Sequence, residues 1–360
     1  MKALVVSRNE ELAIEVMKAL ALAGIGVYVI APESFFALRC SRYCRGFSRL
    51  SKLKSDEDFI ELINERLLKW KIDVLVPSDI WSVFLFARSG NVFQAPAIFP
   101  VAAVETLEKL HDKRSFCELL RDLGISHPRT SQLRSAADAP AVTMPFPVIV
   151  KPVSGEGGCG VLKMNSASEL GLYLKSRGSK TLFPLVVQEF IDSSDAGISI
   201  LAQNGNVVAW TIQRWIGRAR LEFVKHKEIL EVTKKIVRET SFSGVAHFDI
   251  LIENKTGEMY VLECNPRFWG SLHVSVWSGV NFAALGCRLA AQRALEGKTS
   301  LESGIFVIPR QVCQELCSSP KERSELLKPS IRYFLWNLRD PLTSLGVVFS
   351  RFLRKLAPVR

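Results

Sequence analysis

Two apolar runs joined by a short polar turn constrain this chain more than any other feature. The first is His247-Phe248-Asp249-Ile250-Leu251-Ile252, and the second is Val261-Leu262-Glu263-Cys264-Asn265. The segment between them, Asn254-Lys255-Thr256-Gly257 with its flanking glutamates, has turn chemistry, so the pattern predicts a β-hairpin. Side chains alternate faces along a strand. Phe248, Ile250 and Ile252 therefore share one face, and Asp249 and Leu251 share the other. Glu263 and Asn265, two apart, point the same way. Asp249, Glu263 and Asn265 can thus converge as hard oxygen ligands, the donor type suited to a Mg²⁺ shared with phosphates. Arg267 follows as a fork for phosphate or carboxylate.

Upstream, residues 1–111 alternate strand and helix patterns. Lys2–Ser7, Val27–Ile30 and Val74–Val76 read as strands, and Glu10–Ala23 and Asp56–Trp70 as amphipathic helices. This rhythm predicts a parallel sheet covered by helices. No G-x-G-x-x-G follows the first strand, which argues against a dinucleotide site there. Ser78 and Asp79 sit where an open sheet places ligands, and equally where a helix N-cap belongs.

The stretch Phe146-Pro147-Val148-Ile149-Val150-Lys151-Pro152 reads as a buried strand with a lysine near its end. It runs into Ser154-Gly155-Glu156-Gly157-Gly158-Cys159-Gly160. Such a loop lets backbone N–H groups approach phosphate oxygens, with Lys151 adding charge; a plain hairpin loop is the alternative. It lacks the G-K-[ST] ending of a Walker A loop. Leu185–Gln188 is a further strand, and its exit Gln188-Glu189-Phe190-Ile191 can offer backbone groups to a purine edge. Asp195 can accept from a ribose hydroxyl. Ile198–Leu201 and Val207–Ile212 read as a hairpin about Asn204-Gly205, and Glu228–Thr240 as a helix. Lys113, in a helix beginning near Asp112, is by itself an ordinary solvated lysine.

The length, 360 residues, suits two or three structural units, and no run reaches the roughly 18 apolar residues of a membrane span. The eight cysteines are scattered and read as reduced thiols of a cytoplasmic protein. Cys40/Cys44 and Cys313/Cys317 have helical i, i+4 spacing without a histidine cluster, so helix-facing or buried thiols are expected rather than zinc. The net charge of +11 would suit an anionic partner, but no nucleic-acid motif accompanies it.

Taken together, Leu110-His111-Asp112-Lys113, Val148 to Pro152 with its glycine loop, Gln188 to Ile191, Asp249, and Glu263-Cys264-Asn265-Pro266-Arg267-Phe268-Trp269-Gly270-Ser271 resemble the ATP-grasp superfamily. The likeness covers roughly residues 1–295. The last run is similar to the carboligase-type branch related to carbamoyl-phosphate synthetase and biotin carboxylase. The resemblance implies an α/β fold with an α+β lid: a Rossmann-like N-terminal domain over residues 1–111, an ATP-grasp domain over 112–295 with its lid at about 115–190, and a metal-binding antiparallel sheet. It implies that Lys113 and Lys151 contact ATP phosphates, that Ser154, Gly155, Gly157, Gly158 and Gly160 belong to the mobile loop, and that Gln188, Glu189, Phe190 and Ile191 hold adenine. Asp195 would take the ribose. Asp249, Glu263 and Asn265 would hold Mg²⁺, or Mn²⁺ in its place, and Arg267 with Lys151 would act on the transferred phosphoryl group. The implied activity is carboxylate–amine ligation through an acyl phosphate, giving ADP and phosphate. The rivals are a bicarbonate-dependent ligase and a silent ATP-binding scaffold.

Two departures from the family pattern stand out. Asp249 occupies a position where the family often has Glu, and Trp215–Glu228 holds only Gly217 where relatives carry a Gly-rich substrate loop. Lys225, His226 or Lys227 is left to supply the extra phosphate contact. His247 either faces the phosphates or is structural, and Phe268 and Trp269 read as a wall beside the substrate acid. Residues 296–360 lie outside the likeness and read as a basic helical tail; from Gly304 onward ten Lys and Arg face four Asp and Glu. Leu342–Leu356 is amphipathic at helical spacing. A helix docked on the core, a homodimer contact, and peripheral attachment to an anionic membrane are the readings it admits.

Overall fold

The computed structural model describes residues 1–50, 55–153, 160–177, 183–216, 220–301, 303–307, 338–343 and 346. The chain divides into two compact units that interleave along the sequence: Met1–Leu107 with Gly197–His247 and Asn265–Arg360, and Glu108–Ala196 with Phe248–Cys264.

The first unit opens with β1 (Lys2–Val6), α1 (Glu10–Leu22), β2 (Gly26–Pro32), α2 (Phe36–Arg39), β3 (Cys44–Leu50), α3 (Asp56–Trp70), β4 (Val74–Pro77), α4 (Ile80–Ser89) and β5 (Ala97–Ile98). The five strands make one parallel sheet in the order β3-β2-β1-β4-β5. Ala3, Val5, Val27 and Val29 pack on α1 through Ala13, Met17 and Leu20. Leu4, Val6, Ile30 and Leu75 pack on α3 and α4 through Phe59, Ile63, Leu67 and Phe86. Both faces are covered, which is why β1 and β4 read as unbroken apolar runs. Helix α3 occupies its expected span, because Ser55 and Asp58 close a capping box at its start and Lys71 leaves it in the left-handed conformation.

The strand order reverses beside β1, and there the chain fills the crevice itself. Asp79, 4 % exposed, caps α4 by accepting from the N–H (2.9 Å) and hydroxyl (2.6 Å) of Ser82, and it also accepts from Arg8 N–H and Ser7 Oγ. Of the two sequence readings of Asp79, the helix cap is the one realised.

The chain continues with α5 (Val104–His111), α6 (Lys113–Asp122), β6 (Thr130–Leu133), β7 (Val148–Pro152), β8 (Leu162–Met164), α7 (Ala167–Arg177) and β9 (Leu185–Glu189). Strands β6-β9-β7-β8 form an antiparallel sheet within the second unit. Next come β10 (Ser193–Gln203), β11 (Asn206–Ile216), β12 (Arg220–Phe223), α8 (Lys227–Glu239), β13 (Gly244–Glu253), β14 (Met259–Asn265), α9 (Leu272–Trp277), α10 (Phe282–Ala290), β15 (Ser300–Leu301) and β16 (Gly304–Val307). The third sheet has the order β14-β13-β10-β11-β12-β16, with β15 beside β11. Its strands β10, β13 and β14 have residues in both units. Asn204 and Gly205, with φ of 49° and 77°, make the tight turn between β10 and β11.

Two expectations are corrected. Cys40 and Cys44 do not share a helix, because Cys40 caps the end of α2 and Cys44 begins the edge strand β3. Residues 296–360 are not wholly helical: β15 pairs parallel with β11, and β16 antiparallel with β12. These are short segments with little pattern of their own, and the existing strands specify them through the ladder. Farther on, Asp340 is 1 % exposed and accepts from Ser41 Oγ (2.5 Å), Arg42 N–H (3.2 Å) and Thr343 Oγ1 (2.6 Å), which docks that segment on the first unit. The amphipathic stretch expected through Leu356, with its dimer and membrane readings, lies almost entirely outside the described residues, as do Cys159, Cys313 and Cys317. Among the described residues no helix is long and apolar enough to cross a membrane.

Helix α10 lies against Phe99 at Gly286, where a Cβ would stand 2.1 Å from Phe99 Cε2 and 2.2 Å from its Cζ. Phe99 is 1 % exposed and packed on Phe268 with ring centroids 5.4 Å apart. Gly286→Ala should therefore lower the thermal unfolding midpoint, since overpacking costs about 1–3 kcal/mol and exceeds the helix-propensity gain of about 1 kcal/mol. Adding Phe99→Leu should recover part of the loss; a Gly286→Ala midpoint at or above that of the parent protein would contradict the close approach.

Candidate active site

The site begins with alternation on β7 and β9. Val148, Val150, Leu185 and Val187 turn into a small core with Met164, Leu170 and Leu174. Period two sends Ile149, Lys151, Val186 and Gln188 to the opposite face. The antiparallel register sets Ile149 against Gln188 and Lys151 against Val186. With the β13–β14 hairpin and the exit of β9, this face encloses a cavity of about 400 Å³ within the second unit. Its lining includes Lys113, Lys151, Gln188, Glu189, Phe190, Ile191, Asp195 and Glu263, which the sequence singles out as separate segments.

Lys151 is 7 % exposed, and its Nζ lies 3.8 Å from Glu263 Oε2. Burial holds its ammonium below the ordinary lysine range, opposed by Glu263 and reinforced by the nearby Lys113. Lys113 enters from the first turn of α6, whose Phe116 packs on Phe248 of β13 with centroids 6.3 Å apart. The Lys113 ammonium donates to the Val153 carbonyl at 3.0 Å. Two cations and a carboxylate thus converge on one apolar-walled space, an arrangement suited to a polyanion accompanied by a metal ion.

The β9 exit presents mainly backbone. Arg129 grips the Glu189 carboxylate with Nε to Oε2 at 3.1 Å and Nη2 to Oε1 at 2.9 Å, holding that carboxyl below its usual range. The Glu189 N–H is engaged, donating to the Arg129 carbonyl at 2.9 Å. Lys163 Nζ sits 3.6 Å above the Phe190 ring centroid. Asp195 is solvent-exposed as a residue, yet its carboxyl is raised, first by partial desolvation and then by the neighbouring Asp249.

Asp249 does not line the cavity, but its charge reaches both Lys151 and Asp195. Asn265 and Arg267 fall in the first unit, where Arg267 N–H donates to the Asn265 carbonyl (2.8 Å) and its guanidinium to the Phe268 carbonyl (2.7 Å). Gly160 has φ 77° and sits 3.1 Å, at its absent Cβ, from the Pro152 ring. Ser154, Gly155, Gly157 and Gly158 lie outside the described residues. Among the described residues, no three His, Cys, Asp or Glu side chains form a metal cage by themselves.

Two open sequence readings narrow and one changes. His247 is structural: its Nδ1 lies 2.9 Å from Ser199 Oγ, and its ring stacks on Trp269 at 5.9 Å. Phe268 and Trp269 are 0 % and 4 % exposed members of the first unit's core rather than a wall beside a substrate. His226 caps α8, its Nδ1 accepting from Ile229 N–H at 3.4 Å. The apolar wall of Ile149, Val161, Leu251 and Leu262 was not anticipated. Ile149, two from Lys151, and Leu251, two from Asp249, carried an alternation signal. Leu262 carried none, since strict alternation sets it opposite Glu263, whereas the burial pattern of β14 changes phase between them.

Comparison with known proteins agrees with this geometry. The family model for the ATP-grasp domain matches residues 110–271. The arginine-specific large chain of carbamoyl phosphate synthase from Bacillus subtilis is 26% identical over 209 residues, covering 53% of this chain and 20% of that protein. The chain spans about a fifth of the length of the curated relatives it matches. N5-carboxyaminoimidazole synthetase from Staphylococcus aureus, solved in complex with ADP, superimposes with a TM-score of 0.66 at 16% identity over 85% of this chain and 81% of that one. L-amino acid ligase from Bacillus licheniformis gives 0.61 at 17% identity over 81% and 74%. The lysines, the β9 exit and the hairpin acid fall inside the matched segment, and residues 110–271 of this chain match the ATP-grasp domain model.

Proposed function

We propose that this protein is an ATP- and Mg²⁺-dependent ligase that activates a carboxylate and joins it to an amine. The observation that carries the reading is the buried Lys151 facing Glu263 across a cavity whose other wall is the β9 exit. Adenine would lie on the apolar wall of Ile149, Leu251 and Leu262, reading the Glu189 carbonyl and the Ile191 backbone. Asp195 would accept from a ribose hydroxyl. Gln188, 4 % exposed, and Phe190 shape the same wall. The carboxyl of Asp195 is raised first by desolvation and then by Asp249, and the hard oxygens of Asp249 and Glu263 are donors of the type that suits Mg²⁺ or Mn²⁺. That ion, when bound, neutralises charge on the phosphates.

In the proposed reaction a carboxylate oxygen of the acid attacks the γ-phosphorus of ATP, and ADP leaves with the bond electrons. The amine then attacks the acyl carbon, phosphate departs, and the amine proton passes to solvent. Lys151 and Lys113 oppose the repulsion between two anions, and the low-dielectric cavity strengthens that effect. Asn265 as third oxygen ligand, Arg267 on the acyl phosphate, and the segment holding Ser154, Gly155, Gly157, Gly158 and Gly160 as cover over the phosphates are assigned by resemblance and sequence order. The substrates are then a small carboxylic acid and an amine.

Purified protein given ATP, Mg²⁺ and pooled acids and amines should release ADP only when both an acid and an amine are present. Release with bicarbonate alone would replace this reading with a carboxylation, and ATP binding without release would replace it with a scaffold. Glu263→Gln should cut turnover by about a hundredfold or more while circular dichroism is unchanged; retained turnover would remove Glu263 from the site.

The lowered Lys151 ammonium predicts a pH effect. Its positive charge is present below its folded pKa and is lost as pH rises through that value, which lies below 10.5. The alkaline limb of kcat/KM for ATP should therefore begin below the range of an ordinary lysine. Lys151→Arg, which stays protonated, should move that limb upward if any activity remains; an unmoved limb would assign it to another group.

A further inference from the structure

A second cavity of about 510 Å³ opens on the same sheet, toward β6, and the mechanism leaves it without a role. The register Thr130↔Gln188 and Gln132↔Val186 places Thr130 and Gln132 on the face that also carries Lys151. Its apolar part is Leu133, Val142, Val153 and Val186, and its polar rim comes from α6 and the chain after β6.

The charges there are unevenly committed. Glu118 is held by Arg114 at 2.9 Å. Asp138 accepts from the N–H groups of Arg134 and Ser135 at 2.7 and 2.9 Å, which keep its carboxyl below the usual range. Arg134 closes no ion pair within 4 Å among the described residues, its charge acting on Asp138 from farther off, and Arg121 only reaches Asp122 at 4.0 Å. Two guanidinium groups beside an apolar floor match one anionic head on an apolar body, either a carboxylate or a phosphate monoester.

The two cavities share hydrogen bonds. The Thr130 hydroxyl donates to the Pro128 carbonyl at 2.8 Å and accepts from Gln188 Nε2 at 3.0 Å. Cys117 Sγ lies 3.7 Å from the same oxygen, and burial keeps this thiol protonated and able to donate. Thr130 and Cys117 line the second cavity, and Gln188 lines the first. A second link runs from Lys113, in the first cavity, to the carbonyl of Val153, in the second.

We propose that the second cavity is a regulatory site for a small amphipathic anion, held by Arg121 and Arg134 and coupled to the first cavity through Cys117, Thr130 and Gln188. A ligand that packs on Thr130 or accepts a hydrogen bond from the thiol of Cys117 turns the hydroxyl that anchors the Gln188 amide. The coupling rests on the nucleotide reading of the first cavity; the existence of the anion site does not.

The test is calorimetric, on the full chain, with hexanoate and hexyl phosphate as probes and AMP-PNP with Mg²⁺ as the nucleotide. One equivalent of at least one probe should bind, and which one binds separates a carboxylate from a phosphate ligand. Arg121→Ser with Arg134→Ser should weaken it by about tenfold or more, leaving AMP-PNP affinity measured alone unchanged. Bound probe should change AMP-PNP affinity by at least about fivefold. Thr130→Val should abolish that change, and Thr130→Ser should retain it. The site is overturned if neither probe binds at millimolar concentration, if the double arginine variant binds as well as the parent, or if AMP-PNP expels the probe competitively. A coupling that survives Thr130→Val overturns the relay alone. Absence of AMP-PNP binding would sink the nucleotide reading and the relay with it, while arginine-dependent probe binding would still establish the second site.

Discussion

A lysine ammonium removed from water needs a compensating charge, and Lys151 has little of one. Glu263 stands 3.8 Å away, a loose pair by ion-pair standards, and the neighbouring Lys113 works against it. The second unit accepts this because the lysine is fixed at the end of a strand whose alternate residues, Val148 and Val150, are locked into the core under the β6-β9-β7-β8 sheet. The strain of an under-compensated cation is then held in place by hydrophobic burial elsewhere on the same strand. On the proposed reading a phosphate entering the cavity would relieve it, and part of the affinity for the nucleotide would be prepared in the fold before binding.

How legible this was from sequence varied with the kind of information involved. Strongly patterned elements were read nearly to the residue: α3 because Ser55 and its apolar period mark both ends, and the β13–β14 hairpin because a polar turn separates two alternating runs. Elements that borrow their conformation from neighbours were not read. Strand β3 is half-buried, carries two arginines and a glycine among its seven residues, and exists as an edge beside β2. β15 and β16 are held by β11 and β12.

The candidate site was legible through its charges and illegible through its walls. Lys113, Lys151, Asp195 and Glu263 are charged residues in telling positions, and they do meet at one cavity. Leu262 and Val161 are ordinary apolar residues, and only coordinates distinguish a cavity wall from a core. The same limit explains why the aromatic pair after Arg267 was misread. Phe268 and Trp269 stand beside functional residues in sequence, but they are packed against Phe99 and Phe282.

The docking of Asp340 on Ser41 and Arg42 joins residues nearly the whole chain apart. The first unit is built from three separate stretches, the last of them reaching the C-terminal end. During synthesis its parallel sheet therefore leaves the ribosome long before its final stretch exists. The segment 108–196 must likewise wait for the hairpin of Phe248–Cys264. Neither unit can complete as its first stretch emerges, so the closing contacts of each wait for residues made much later.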